Sequence, residues 1–279
     1  MRFIGLILWL LTLSAQPAVA QSLPLLSVRQ QLNQMIGDRA DDVGIAALDL
    51  KTGEMISVQG DEPFPMASTV KVAIAANYLA QVEQGRRTLD QTIRGRSASS
   101  LMAAMLIHSD NIATDILLGD LGGPSVVQSW LSQNQLNGLR VDRSIAQLLK
   151  ARRDLHDIRD SSTPKAMVTL LERIDSGRLL RPESRSYLLG LMSRCMTGKN
   201  RIRGLLPAGT RVEHKTGTLD GLTSDVGFIT MPDGRRVAVA MFARSRANRP
   251  QLIARAARAI YDGFALAFRA PLTISFAAP

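Results

Sequence analysis

Short alternating segments stand at both ends of the chain, and helix-like sequence fills the middle. Gly44 to Leu50 and Glu54 to Gln59 read as a hairpin around Lys51-Thr52-Gly53, with polar and apolar residues alternating on each side. Three more segments read as strands near the other end: Arg211 to Lys215, Asp225 to Met231 and Arg236 to Ala243. Pro232-Asp233-Gly234 supplies a turn between the last two. Between these ends, roughly Ser68 to Arg194, lie segments with helical spacing: Val70 to Gln84, Ala98 to Leu106, Asn111 to Leu118, Pro124 to Gln133, Thr163 to Ile174 and Pro182 to Met192. An amphipathic helix is expected over Pro250 to Phe264. Strands from both termini with helices between them imply an α/β (α+β) fold. It has one antiparallel sheet of about five strands, flanked by helices, with an inserted all-helical lobe. The α/β lobe takes about 21–67 and 195–279, and the helical lobe about 68–194.

Residues 1–20 stand apart. Arg2 precedes an apolar run, Phe3 to Leu13, and Ala18-Val19-Ala20 comes before Gln21. That order reads as a cleaved secretory signal, cut after Ala20, and implies a periplasmic or secreted protein. Removal would leave 259 of the 279 residues, enough for one large domain or two lobes. The single cysteine, Cys195, can form no intramolecular disulfide and is expected to be a packed thiol. The net charge of +10 falls to +9 without Arg2. Such a charge attracts a protein weakly to anionic cell-wall or membrane surfaces, and it also serves simple solubility. Nucleic acid is a poor fit, since no recognition motif is present and aromatic residues are 4% of the chain. A monomer is expected.

Three short motifs fall in order: Ser68-Thr69-Val70-Lys71, Ser109-Asp110-Asn111 and Lys215-Thr216-Gly217. Each pattern recurs by chance: S-x-x-K at Ser162 to Lys165, S-x-N at Ser132 to Asn134 and K-T-G at Lys51 to Gly53. Context separates the copies. Ser68 opens an apolar helical run, so Ser68 and Lys71 share one face in the first turn, near the positive end of the helix dipole. Ser162 or Thr163 instead reads as the cap of a helix starting at Pro164. Ser132 to Asn134 reads as a helix exit, and Lys51 to Gly53 as the hairpin turn.

Together the three ordered motifs suit acyl transfer. A serine hydroxyl needs a nearby base. Lys71 can serve if burial and a second cation, Lys215, lower its pKa. Ser109 can relay a proton to the leaving group, and Asn111 can hold a substrate carbonyl. The strand after Lys215 can bind an extended substrate edge-on, and the backbone N–H groups of Ser68 and Thr218 can stabilise an oxyanion. No G-x-S-x-G is present, and His108, His156 and His214 show no metal-ligand spacing.

These motifs, with Arg143, Arg159-Asp160-Ser161-Ser162-Thr163-Pro164 and Glu213 to Thr218, resemble the class A β-lactamase family over nearly the whole mature length. The resemblance implies a serine acyl-enzyme mechanism on a penicillin-recognising fold, without cofactor or metal. Ser68, Lys71, Ser109 and Lys215 would be catalytic, and Asn111, Thr216, Gly217 and Thr218 substrate-binding. Arg143 and Asp160 would close the Ω-loop as an ion pair.

Two departures refine that expectation. The family's Ω-loop places a glutamate soon after the arginine, in an E-x-x-x-N pattern, to position the deacylating water. Ile145 and Leu149 stand at those places here. Between Arg143 and Asp160 the only acids are Asp154 and Asp157, in a loop slightly longer than the family norm. Second, the 41 residues from Ser68 to Ser109 are fewer than usual, which implies a more open cleft. The strand Leu222 to Ile229 also lacks an arginine for a substrate carboxylate, leaving Arg244 or Arg246 as substitutes. Three functions remain open. They are a penicillin-binding enzyme acting on D-Ala-D-Ala wall peptides and slow to deacylate, a true β-lactamase that activates water another way, and a non-catalytic wall-binding or sensor protein.

Overall fold

A computed structural model describes residues 23–37, 42–244 and 247–267. The expected signal segment and Arg246 lie outside the described residues. Five strands form one antiparallel sheet in the order β2-β1-β9-β8-β7. They are β1 (Val43–Asp49), β2 (Met55–Val58), β7 (Val212–Leu219), β8 (Leu222–Thr230) and β9 (Arg236–Arg244). The sheet is thus built from both ends of the chain, with β1 paired to β9. All seven residues of β1 are buried, because its alternating side chains enter different cores. Val43, Ile45 and Ala47 join the core under α1 (Leu23–Ile36) and α9 (Arg249–Ala267), while Ala46 and Leu48 join the core of the helical side.

The other face of the sheet meets helices from the middle of the chain. α7 (Pro164–Asp175) lies on β1, β8 and β9, and α8 (Pro182–Ser193) lies on β7. At the centre of the helical layer runs α2 (Lys71–Glu83), buried at every position from Lys71 to Gln81. A helix apolar all round needs neighbours all round. α3 (Ala98–Ile107), α4 (Asn111–Leu121), α5 (Pro124–Gln133) and α8 supply them.

Several boundaries differ from the sequence expectation. Lys215 does not end its strand: β7 runs on through Thr216, Gly217 and Thr218 to Leu219 and turns at Asp220-Gly221 into β8. β7 is an edge strand, and there Thr218 faces out while Thr216 and Gly217 are buried. β8 accordingly begins at Leu222 rather than Asp225. α1 was unexpected, as was α6 (Ile145–Lys150), which Ser144 and Gln147 start as a capping box. The expected helical stretch also contains three two-residue strands, β4 (Thr92–Ile93), β5 (Arg96–Ser97) and β6 (Ser161–Ser162). β6 pairs with β3 (Phe64–Pro65), just before the first motif. The three rival motif copies take their expected roles. Thr163 caps α7 through a bond from Ala166 N, Asn134 closes α5, and Lys51 to Gly53 turn between β1 and β2.

Candidate active site

The three ordered motifs meet between the edge strand β7 and the helical layer. Ser68 lies in a 3-10 turn, Ala67–Val70, that leads into α2. Ala67 has φ +49°, and Ser109 has φ +61°. Left-handed backbone at a residue with a side chain costs about 1–3 kcal/mol unless its surroundings impose it. Here they do. Met66 N donates to Asp160 O at 2.9 Å on one side of Ala67, and Ser109 O accepts from Lys71 Nζ at 2.7 Å.

Gly217 sets the distance between the serine turn and the strand. A Cβ there would lie 2.6 Å from Met66 O, 2.4 Å from Ser224 Oγ and 3.1 Å from Ala67 Cβ. Only a glycine lets the turn that carries Ser68 close on β7 this tightly.

Both lysines are buried and converge on one hydroxyl. Ser109 Oγ accepts from Lys71 Nζ at 3.2 Å and from Lys215 Nζ at 3.0 Å. Lys71 also donates to Asn111 Oδ1 at 2.8 Å, and Lys215 to Thr216 O at 2.9 Å. Lys71 and Ser68 share a helix face as expected. Even so, the ammonium hydrogen bonds to Ser109 and Asn111 and not to Ser68, because those oxygens satisfy a buried cation. Burial first, and the charge of Lys215 second, lower the Lys71 pKa to about 7, while Asp110 and Asp115 oppose the shift. Burial likewise lowers Lys215 to about 8; Cys195 and Asp225 oppose it, and Arg201 adds to it.

Asp110 caps α4, its Oδ1 accepting from Ala113 N, and this sets Asn111 at the helix start. With Asn111 Oδ1 engaged by Lys71, the amide Nδ2 of this exposed residue is left for another acceptor. Thr218 is exposed on the edge strand, while Thr216 is buried and shares a 2.5 Å hydrogen bond with Thr197 Oγ1. Thr197 Oγ1 in turn lies 3.3 Å from Cys195 Sγ, and Cys195 is buried, as expected of a packed thiol.

Arg201 escaped the sequence reading. Its Nη1 donates to Gly217 O and Ser224 O, both at 2.9 Å, and its Nη2 donates to Thr218 Oγ1 at 2.6 Å. It is the guanidinium beside the third motif. Arg244 is not available for that place. It is 1% exposed, stacked on Phe64, and holds Pro63 O, Leu155 O and Glu62 Oε1. Behind the strand, His214 Nδ1 lies 2.8 and 3.0 Å from the oxygens of Asp225, and Asp225 Oδ2 accepts from Ile202 N. The His214–Asp225 pair therefore ties the Arg201 segment to β7 and β8.

A model of the beta-lactamase enzyme family matches residues 27–264. The chain belongs to the beta-lactamase enzyme family. It is 29% identical to the extended-spectrum beta-lactamase PER-1 of Pseudomonas aeruginosa, over 91% of this chain and 92% of that one. It is 30% identical to beta-lactamase OXY-2 of Klebsiella oxytoca, over 85% and 89%. Among solved structures it resembles a beta-lactamase from Chitinophaga pinensis, with TM-score 0.79 and 29% identity, covering 85% of this chain and 99% of that one. It also resembles a variant of the last common ancestor of Gram-negative bacteria class A beta-lactamase, with TM-score 0.80 and 32% identity over 86% and 99%. The class A branch is the one that these likenesses and the fold select.

In this class A member the two ends of the Ω-loop do meet. Arg143 Nε pairs with Asp160 Oδ2 at 2.5 Å, and Asp160 Oδ1 accepts from the backbone N–H of Asp142 and Arg143. Asp115, also unforeseen, receives the first N–H groups of α6: Ile145 N at 2.7 Å and Ala146 N at 2.8 Å. The loop rests on the site through Leu148 and Leu155, which pack against Ala67, Leu219 and Leu222. Ile145 is 5% exposed, within the helical-side core, and Leu149 is 50% exposed. Of the two acids inside the loop, Asp157 is bound by Arg159 and Arg143. Hydrogen bonds from Arg159, with the charge of Arg143 in support, hold Asp157 down to about 2. Asp154 accepts from His156 N in a local turn.

Proposed function

We propose that this family member is a serine hydrolase or transferase that β-lactams acylate at Ser68. It releases them slowly and acts on wall peptides ending in D-Ala-D-Ala. Neutral Lys71 takes the proton as Ser68 Oγ attacks the substrate carbonyl. Backbone N–H groups of Ser68 and Thr218 receive the oxyanion. The Ser109 hydroxyl then delivers a proton to the departing nitrogen as the C–N bond breaks, leaving an ester on Ser68. Asn111 Nδ2 holds a substrate carbonyl, and Lys215 with Arg201 attracts the terminal carboxylate. Exposure of Asn111, Thr218 and Ile112 along the rim supports a cleft open enough for a peptide.

One observation carries slow deacylation. The part of the Ω-loop that packs over the serine turn presents Leu148 and Leu155, the helix start presents buried Ile145, and no glutamate occurs from Arg143 to Asp160. Asp157, held near 2 by arginines, is a weak base for activating water. Losing a general base typically slows a step by about 10²–10⁴-fold, or about 3–5 kcal/mol of barrier.

The names of the relatives favour a second reading, hydrolysis of β-lactams with turnover. The lifetime of a benzylpenicillin adduct, followed by intact mass spectrometry, separates the two. An adduct on Ser68 lasting minutes to hours supports the first. Accumulating penicilloate without a detectable adduct supports the second. No labelling at all would leave only a binding or sensor role. On either catalytic reading we place the protein outside the cytoplasm, periplasmic or secreted, as a monomer.

A further inference from the structure

We infer that the outer rim of the Ω-loop is a second anionic subsite, where Arg152 and Arg153 hold an upstream carboxylate of an acidic peptide whose D-Ala-D-Ala end lies over Ser68. This rests on the peptide-substrate reading above.

Three observations carry it. First, the charges of the loop are unevenly matched. Asp160 is committed to Arg143, and Asp157 to Arg143 and Arg159. Arg152 and Arg153 are exposed and make no hydrogen bond or ion pair with any described residue. Such guanidinium groups are fully available to an incoming carboxylate, which they can bind in a fork.

Second, the two arginines line a hollow. They form the wall of a surface depression of about 600 Å³, with Asp154, Asp157 and Arg159. They also line a narrow cleft that reaches Pro65 and Leu219. Pro65 leads into the Ser68 turn, and Leu219 is the last residue of β7.

Third, the direction of the substrate is set by the site. A terminal carboxylate at Lys215 and Arg201 fixes one end of the peptide. The acyl side then runs along the edge of β7 toward Leu219, rising about 3.3 Å per residue. On this reading a carboxylate two or three residues upstream of the scissile bond lies at the arginine pair, along the cleft that Arg152, Arg153, Pro65 and Leu219 share.

An anionic bilayer is the rival occupant, since Leu149 and Ile158 are exposed by 50% and 54% beside the arginines. The hollow argues against it. A lipid surface is flat, whereas the arginines line a concave depression.

The test uses the full mature chain carrying Ser68→Ala, so that nothing is consumed. The probe is a fluorescein-labelled pentapeptide ending in D-Ala-D-Ala with a glutamate upstream, alongside its glutamine counterpart. Binding is read by anisotropy, with and without Arg152→Ala/Arg153→Ala. The proposal expects the glutamate peptide to bind about tenfold more tightly than the glutamine peptide. The double variant should erase that preference, and salt should weaken it. In the Ser68 protein, the double variant should leave the benzylpenicillin acylation rate unchanged, which shows an intact fold and site. Equal binding of the two peptides, or a preference that survives the double variant, overturns the subsite. Binding to vesicles of 30% anionic lipid without peptide preference overturns it in favour of a membrane surface. Peptide cleavage is scored separately. A glutamate preference that the double variant erases, in a protein that cleaves no peptide, keeps the subsite and sinks the peptidase reading. Cleavage at equal rates for both peptides does the reverse.

Discussion

Lys71 and Lys215 donate to one oxygen, Ser109 Oγ, from 3.2 and 3.0 Å. Burial first, and the charge of Lys215 second, lower Lys71 to about 7, while burial, with Arg201 in support, lowers Lys215 to about 8. With both lysines donating to Ser109 Oγ, its own proton is left for a different acceptor.

Acylation by penicillin should therefore depend on pH within a narrow bell. Lys71 must lose its proton to act as base, so the rate falls as pH drops through about 7. Lys215 must keep its charge, so the rate falls again as pH rises past about 8. Lys215→Gln removes the like charge, lets Lys71 hold its proton to higher pH, and moves the acid limb upward. Stopped-flow acylation from pH 5 to 10 tests this; an acid limb unmoved in the variant would refute the coupling.

Asp115→Ala should act on both the Ω-loop and the base. It strips two N–H groups at the start of α6 of their acceptor, a loss of about 1–3 kcal/mol. Faster hydrogen exchange over residues 145–150 is expected. Asp115 also raises the Lys71 pKa, so its removal shifts the acid limb to lower pH. A faster-exchanging loop with an unshifted limb would mean that only the packing role is real.

Ile145→Glu should shorten the adduct lifetime by supplying a carboxylate where the apolar side chain stands. It should also lower Tm, because the new charge enters a core position beside Asp115. A folded variant with an unchanged adduct lifetime would show that this position does not reach the deacylating water.

Gly217→Ala should abolish most penicillin labelling while the sheet survives. The methyl group would overlap Met66 O and Ser224 Oγ, pushing the Ser68 turn away at a cost of about 1–3 kcal/mol. Labelling at the parent rate would mean that the turn yields without consequence.

The parts of this molecule legible in the sequence are those coded locally. The Ser68, Ser109 and Lys215 motifs separate from their rivals because helix starts, caps and hairpins leave short-range signs: Asp110 before α4, Pro164 after Thr163, Gly53 in a turn. The Arg143–Asp160 pair was readable only through family resemblance. Asp115 was within reach, since it lies one helical turn beyond Asn111 on the same face of α4. Arg201 was not. Its partners Gly217, Thr218 and Ser224 lie 16 to 23 positions away, and nothing around it differs from other surface arginines. Arg244 misled for the same reason, because its partners Phe64, Pro63, Glu62 and Leu155 lie 89 to 182 positions away.

The sheet order has a consequence for how the chain is made. Val43 pairs with Ala243, 200 positions away, and β1–β2 alone is a hairpin too small to stand by itself in water. Pairings this remote in sequence form slowly. During synthesis the helices between them leave the ribosome before β7, β8 and β9 exist. Until Leu219 has emerged, the turn that carries Ser68 has no complete strand to close against, and until Arg244 has emerged, β1 has no central partner.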